Sequence, residues 1–238
     1  MATLRLDKLL ADTGRWSRKE ARELVRQGRV RVNGTIVKKS EEKVETEQLL
    51  LEVDGEGITW QRFTYLMMNK PAGVLTATRD RREKTVLDLL PQAYQRQELR
   101  PVGRLDKDTE GLLLLTNDGE LAHRLLAPKS HVDKVYYAEI DGTVDESDAR
   151  AFSEGMILED DGLVCQSAQL RSLGEGRCEV TLREGKYHQV KRMLAQRGKP
   201  VRYLKRLAMG GVILDKSLEI GQFRPLSETE LARLEGSF

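Results

Sequence analysis

A length of 238 residues allows one large domain, or a small one joined to a medium one, and 39% hydrophobic with 33% charged residues describes a globular protein with a dense ionic surface. No apolar run approaches the ~20 residues that cross a bilayer, and two cysteines, Cys165 and Cys178, with three scattered histidines, His123, His131 and His188, argue against a disulfide framework and against a zinc or other metal site. The net charge of +2 hides an asymmetry: residues 1–44 hold 12 Lys and Arg against 6 Asp and Glu, the remainder 28 against 32. An electropositive head therefore precedes a nearly balanced body, and polyanions are its natural partner, although a solvated basic face would carry the same charge.

The N-terminal run MATLRLDKLLADTGR carries acids early and lacks an uninterrupted apolar core. It reads as no secretory signal, so a cytoplasmic location is expected. Leu6, Leu9 and Leu10 keep helical spacing. A second helix opens at Ser17 with Glu20 three residues on, a capping box in which each side chain satisfies an orphan amide. Ala21, Leu24 and Val25 form its inner face, and Gly28 stands where a helix end takes a left-handed residue. Arg18, Arg22 and Arg26 recur every four residues on a stripe that faces solvent or a ligand. VRVNGTIV then sets Asn33-Gly34 between two β-prone runs, a two-residue hairpin signal. About 45 residues bury little apolar surface alone, so this unit is expected to lean on the strands that follow. DGEGITW, residues 54–60, is Gly-rich and aperiodic and reads as a linker. The expected domains are thus 1–60 and 61–238.

Beyond residue 60, strands are expected at 63–69, 111–116, 134–140, 163–170, 177–183 and 201–207. Helices are expected at 118–126, 145–155, 187–197 and 228–235, the last opened by a capping box of Ser227 and Glu230. The order lacks the regular βαβ beat of a doubly wound fold. An α+β domain with a mostly antiparallel mixed β-sheet flanked by helices is the expectation.

Three stretches concentrate chemistry. In GRLDKDTEGLLLLTNDG, residues 103–119, a charged, Gly-bounded loop with Asp106, Asp108 and Glu110 runs into four leucines that read as a buried strand. A rigid strand mouth can hold a reactive carboxylate; spacing alone equally allows acids that only cap turns or bind Mg²⁺ weakly. EGKYHQVKRM, residues 184–193, gathers Lys186, His188, Gln189, Lys191 and Arg192 at a helix start, where cations oppose the helix dipole unless an anion lies close by. In MNKPAGVLT, residues 68–76, Pro71 and Gly73 force a turn beside Lys70.

Taken in order, these motifs resemble those of the RsuA-type pseudouridine synthases, bacterial enzymes that modify ribosomal RNA. GRLDKDTEG is similar to the family's central motif, MNKPAG to its first, EGKYHQVKRM to its later basic motif, and LKRLAMGGVIL with GQFRPL to its C-terminal segment. Residues 4–44 resemble an S4 RNA-binding module, so the likeness spans nearly the whole chain. The resemblance implies a small N-terminal S4-like α/β RNA-binding domain followed by a catalytic domain of the pseudouridine synthase fold. It implies Asp106 as nucleophile, Lys191 as its basic partner, and Tyr136 as the active-site tyrosine, with Tyr137 adjacent. Arg104 would sit at the pocket mouth and help hold the target nucleotide out of its stack. Lys70, Lys186, His188, Gln189 and Arg192 would contact substrate, His188 by positioning rather than as a base. Arg5, Lys8, Arg18, Lys19, Arg22, Arg29 and Lys38 are candidates for phosphate contacts from the head.

Isomerising uridine changes no redox state and imports no group, so no cofactor is expected. A cation beside Asp106 would favour its carboxylate form once water is excluded. A chain without a basic C-terminal extension is most similar to the enzyme of 16S ribosomal RNA, acting on that RNA or a pre-30S intermediate as a monomer; 23S ribosomal RNA is the alternative. A non-catalytic S4-type assembly factor would leave GRLD unexplained. A carboxylate-pair glycosidase would give the basic head no role, and 5% aromatic content is low for a sugar-stacking cleft.

Overall fold

The computed structural model describes residues 3–237, and its chain forms two compact units. The first comprises the chain up to Thr64 together with Leu87–Leu99; the second comprises Tyr65–Val86 and the chain from Arg100 on.

The first unit begins with β1 (Thr3–Arg5), α1 (Leu6–Asp12) and α2 (Arg18–Arg26). Leu6, Leu9 and Leu10 of α1 meet Ala21, Leu24 and Val25 of α2, all buried, as helical spacing requires. Ser17 and Glu20 form the expected capping box. β2 (Val30–Val32) and β3 (Thr35–Ile36) form the expected hairpin, with Asn33 and Gly34 at φ 49 and 78, the doubly left-handed turn that an Asn-Gly pair tolerates. β4 (Lys43–Glu45) pairs with β1, and β5 (Leu51–Val53) and β6 (Glu56–Ile58) complete a four-stranded sheet in the order β3-β2-β5-β6. A short helix, α3 (Gln92–Gln95), belongs to the same unit. The linker expected at 54–60 is corrected: Asp54-Gly55, at φ 54 and 82, turns β5 into β6, and Ile58 is buried in the core. The glycines there mark a tight turn rather than slack chain.

The second unit is built on a nine-stranded sheet. Its strands are β7 (Tyr65–Lys70), β8 (Arg100–Pro101), β9 (Glu110–Thr116), β10 (Lys134–Ile140), β13 (Gln169–Ser172), β14 (Arg177–Leu182), β15 (Val201–Met209), β16 (Val212–Ile213) and β17 (Phe223–Pro225); β11 (Met156–Ile157) and β12 (Val164–Cys165) form a separate hairpin. The order is β13-β14-β10-β15-β9-β7-β17, with β8 on β9 and β16 on β15. Only the β9–β15 pair is parallel among the described strand pairings, so the sheet is mixed and mostly antiparallel. The flanking helices are α4 (Gly119–Leu126), α5 (Glu146–Glu154), α6 (Gln189–Gln196) and α7 (Glu228–Glu235). Leu112, Leu113, Leu114 and Leu115 are all buried, because β9 lies inside the sheet with both faces covered. The strand expected at 163–170 divides in two. Between β12 and β13 the amide of Ala168 donates to the Phe152 carbonyl at 2.8 Å instead of continuing a ladder.

Candidate active site

The loop carrying Asp106 is fastened on both sides of that residue. On the N-terminal side, the Thr76 hydroxyl donates to the Leu105 carbonyl at 2.7 Å and accepts the Leu105 amide at 3.2 Å. On the C-terminal side, the Lys70 ammonium at the end of β7 donates to the carbonyls of Pro71 (2.8 Å), Thr109 (3.0 Å) and Lys107 (3.3 Å). Lys70 is fully buried, and burial pushes its ammonium down to about 8 against the opposing pull of Asp108, Glu110 and Asp106. The expectation that Lys70 touches RNA is therefore corrected. Its three protons are consumed by the backbone of its own turn and of the Asp106 loop, so it acts as a brace between them. Thr76 was missed in the sequence because a threonine after a turn carries no signal of its own.

Behind this loop β9 lies against β15 at Gly111, where Gly111 pairs with Arg206 in parallel register. Gly111 has φ 101, and a Cβ there would stand 2.3 Å from the Arg206 carbonyl oxygen. The last glycine of GRLDKDTEG thus permits a close backbone approach. Arg206 is buried, donates from Nε to the Leu112 carbonyl at 2.8 Å, and has no hydrogen-bond partner for Nη2 among the described residues. Nothing in the sequence reading singled it out.

Helix α6 supplies the opposing charge. Val190, Met193 and Leu194 anchor it in the core, leaving Lys191 on another face with its Nζ 3.2 Å from Asp106 Oδ2 and 2.6 Å from Asp108 Oδ1. Asp106 is about a quarter exposed. The Lys191 hydrogen bond holds the Asp108 carboxyl below the usual range, against a smaller opposing effect of burial. His188, at the N-terminus of α6 in a left-handed conformation (φ 49), places Nε2 3.5 Å from Asp106 Oδ1. Arg104 is exposed two residues before Asp106.

Three further residues of the basic motif have other employment. Gln189 is buried, its amide nitrogen donating to Glu184 at 2.5 Å and its oxygen accepting the Lys186 amide at 3.1 Å. Lys186 pairs with Glu184 at 3.1 Å and donates to the Val164 carbonyl. Arg192 lies 2.5 Å from Asp160 and 2.6 Å from Asp161, and the Asp160 hydrogen bond raises its guanidinium further above its ordinary value. Gln189 thus closes the 184–189 turn, and Lys186 and Arg192 tie that turn and α6 to the β11–β12 hairpin.

Tyr136 and Tyr137 diverge because successive strand residues face opposite sides. Tyr136 is buried on β10, opposite Val180 and Arg206. Tyr137 instead lies edge-on to Tyr203, 6.2 Å between centroids, and donates its hydroxyl to Glu139 at 3.1 Å.

In the first unit the buried Asp7 carboxylate collects Arg22 at 2.9 Å, Arg5 at 3.0 Å and Arg18 at 4.0 Å. Burial alone would raise its pKa, but hydrogen bonds from Arg5 and Arg22 outweigh that and hold it down at about 2. One carboxylate for three half-exposed arginines leaves the cluster positive. Lys8 pairs with Asp12 at 2.8 Å, and Arg29 with Asp54 at 2.5 Å. Lys19 and Lys38 are exposed, with no carboxylate partner among the described residues. No described helix is long and apolar enough to cross a membrane.

Comparison with known proteins bears on this arrangement. The RNA pseudouridylate synthase family matches over residues 64–196, and the S4 domain over residues 4–50. An uncharacterized RNA pseudouridine synthase of Bacillus subtilis is 46% identical, covering 96% of this chain and 97% of its own. The ribosomal small subunit pseudouridine synthase A of Haemophilus influenzae is 37% identical, covering 97% and 99%. A crystal structure of a pseudouridylate synthase superposes with a TM-score of 0.69 at 37% identity, covering 97% of this chain and 99% of that one.

Proposed function

The chain belongs to the RNA pseudouridylate synthase family, and from that premise we propose that it converts one uridine of 16S ribosomal RNA to pseudouridine with Asp106 as the nucleophile. Relatives from Haemophilus influenzae and Pseudomonas aeruginosa, 37% and 39% identical over nearly their full length, are named ribosomal small subunit pseudouridine synthase A and support that choice of RNA. The observation that carries the assignment is the Asp106 carboxylate facing the Lys191 ammonium at 3.2 Å on a loop braced by Lys70 and Thr76.

The reaction is an isomerisation. The bond from the sugar carbon to uracil N1 breaks, the base turns, and a bond to C5 forms; the C5 proton is lost and N1 gains one. The carboxylate of Asp106 acts at the sugar carbon, at the uracil ring, or by promoting elimination, and each route needs it ionised. Lys191 supplies positive charge beside it in a partly dehydrated place. His188 positions the carboxylate from its other oxygen. Tyr136 packs on uracil, and the engagement of the Tyr137 hydroxyl with Glu139 supports that choice over its neighbour. The target nucleotide leaves its stack at a cost of a few kcal/mol. Arg104 lies on the Asp106 loop to help hold it out. Phosphate contacts from Arg5, Arg18, Lys19, Arg22 and Lys38 offset that cost, while Lys8 and Arg29 are held by Asp12 and Asp54. The enzyme works as a cytoplasmic monomer on 16S RNA or a pre-30S intermediate.

Mapping pseudouridine in ribosomal RNA from cells with and without the gene tests this reading. Loss of one position in 16S RNA is expected, restored by the wild-type chain and not by Asp106→Asn. A lost position in 23S RNA would redirect the substrate assignment, and an unchanged map would overturn the function.

A further inference from the structure

Tyr187 keeps 75% of its surface exposed beside the candidate site. A single exposed aromatic is common on protein surfaces, but this one is held in a particular way. Its ring lies on the His188 imidazole with centroids 3.8 Å apart and planes 17° from parallel. The same imidazole stands 3.5 Å from Asp106, so the two rings form a stack that begins at the carboxylate and ends in solvent.

The backbone that sets this stack is strained and fastened. His188 sits at φ 49, in the left-handed region that residues other than glycine seldom adopt. The Gln189 amide closes the turn on the Lys186 carbonyl at 3.2 Å, and Arg192 Nη1 donates to the Tyr187 carbonyl at 3.3 Å. The turn thus presents a flat aromatic face outward, continuous with the site. The occupant suited to such a face is another flat ring. A nucleotide extruded towards Asp106 leaves its neighbours without stacking partners, and exposed aromatics hold single-stranded bases with little regard to sequence.

We propose that Tyr187 is the stacking platform for an unpaired base adjoining the target uridine, with His188 as the layer that fixes its ring. The inference rests on the function proposed above and narrows its substrate to a uridine in locally single-stranded RNA.

The test uses the full-length chain and a single-stranded hexaribonucleotide with one uridine flanked by 2-aminopurine, whose fluorescence falls on stacking. Wild type and Tyr187→Phe are expected to quench it, while Tyr187→Leu, which keeps bulk without a π face, and Tyr187→Ala do not. On ribosomal RNA, Tyr187→Ala should raise KM on the order of 10-fold, with Tyr187→Phe restoring it. Quenching and KM unchanged in Tyr187→Ala, with wild type active, would overturn the platform alone. A wild-type chain that forms no pseudouridine overturns the parent function, and that is read before any variant is made.

Discussion

Lys191 stands nearer to Asp108, at 2.6 Å, than to Asp106, at 3.2 Å, so one ammonium serves two carboxylates. Asp108 is three-quarters exposed and Asp106 about one-quarter. The pair with Asp108 lies more open to solvent and salt than the pair with Asp106.

From this difference, Asp106→Asn should abolish turnover, and Lys191→Gln should lower kcat by roughly 10²–10³-fold. Asp108→Asn should change it by less than ~10-fold, because it only releases Lys191 towards Asp106. Single-turnover release of tritium from uracil C5 measures all three. A dead Asp108→Asn beside an active Asp106→Asn would reverse the roles.

Lys70→Met should leave the carbonyls of Pro71 and Thr109 without this donor, while that of Lys107 keeps the Gly73 amide at 2.7 Å. An expected loss of about 2–4 kcal/mol in urea unfolding follows from the cost of unsatisfied buried acceptors. Displacement of the Asp106 loop should also lower kcat, by up to ~10²-fold for a shift of about 1 Å. A variant as stable and active as wild type would show that the brace is dispensable.

Asp7 makes the first unit sensitive to acid. Its folded pKa of about 2 lies below the ordinary 3.8, so the unfolded state takes the proton first as pH falls. The stabilisation, on the order of 2 kcal/mol, is complete above about pH 5 and disappears as pH drops through about 2. Asp7→Asn lacks it. The stability gap between wild type and variant should therefore close between pH 5 and pH 2 in urea titrations. A gap independent of pH would mean that Asp7 does not hold the arginines as a carboxylate.

Binding of ribosomal RNA should weaken steeply with salt. Removing a lysine that touches phosphate reduces the log–log slope by about 0.9. Lys19→Ala and Lys38→Ala are expected to do so, since no carboxylate among the described residues engages either. Arg29→Ala should leave the slope unchanged, because Asp54 holds Arg29 through Nε at 2.7 Å and Nη2 at 2.5 Å. Equal slopes for all three variants would remove the lysines from the interface.

Much of the fold was legible in the sequence wherever a signal acts over a few residues. The capping boxes at Ser17 and Ser227, the Asn33-Gly34 hairpin and the buried leucine strand 112–115 depend on local backbone geometry and short-range periodicity. Strands of two or three residues, such as β8, β11, β16 and β17, were not legible, because no period is readable over so short a span. The turn from β5 into β6 was misread for a related reason: its residues, Asp54 and Gly55, are also those of a loose loop.

By itself the sequence determined most of the longer helices and strands, that a basic head leads the chain, and that Asp106 lies in the loop that runs into β9. Only the tertiary structure decided the employment of each charge. Lys70, Lys186 and Arg192 look as available as Lys191 on paper, yet Lys70 is sealed among carbonyls and the other two are tied to neighbouring acids and backbone. Lys191 and Asp108 meet across 83 residues of chain. Desolvation and ion pairing depend on such distant encounters, which no local pattern encodes.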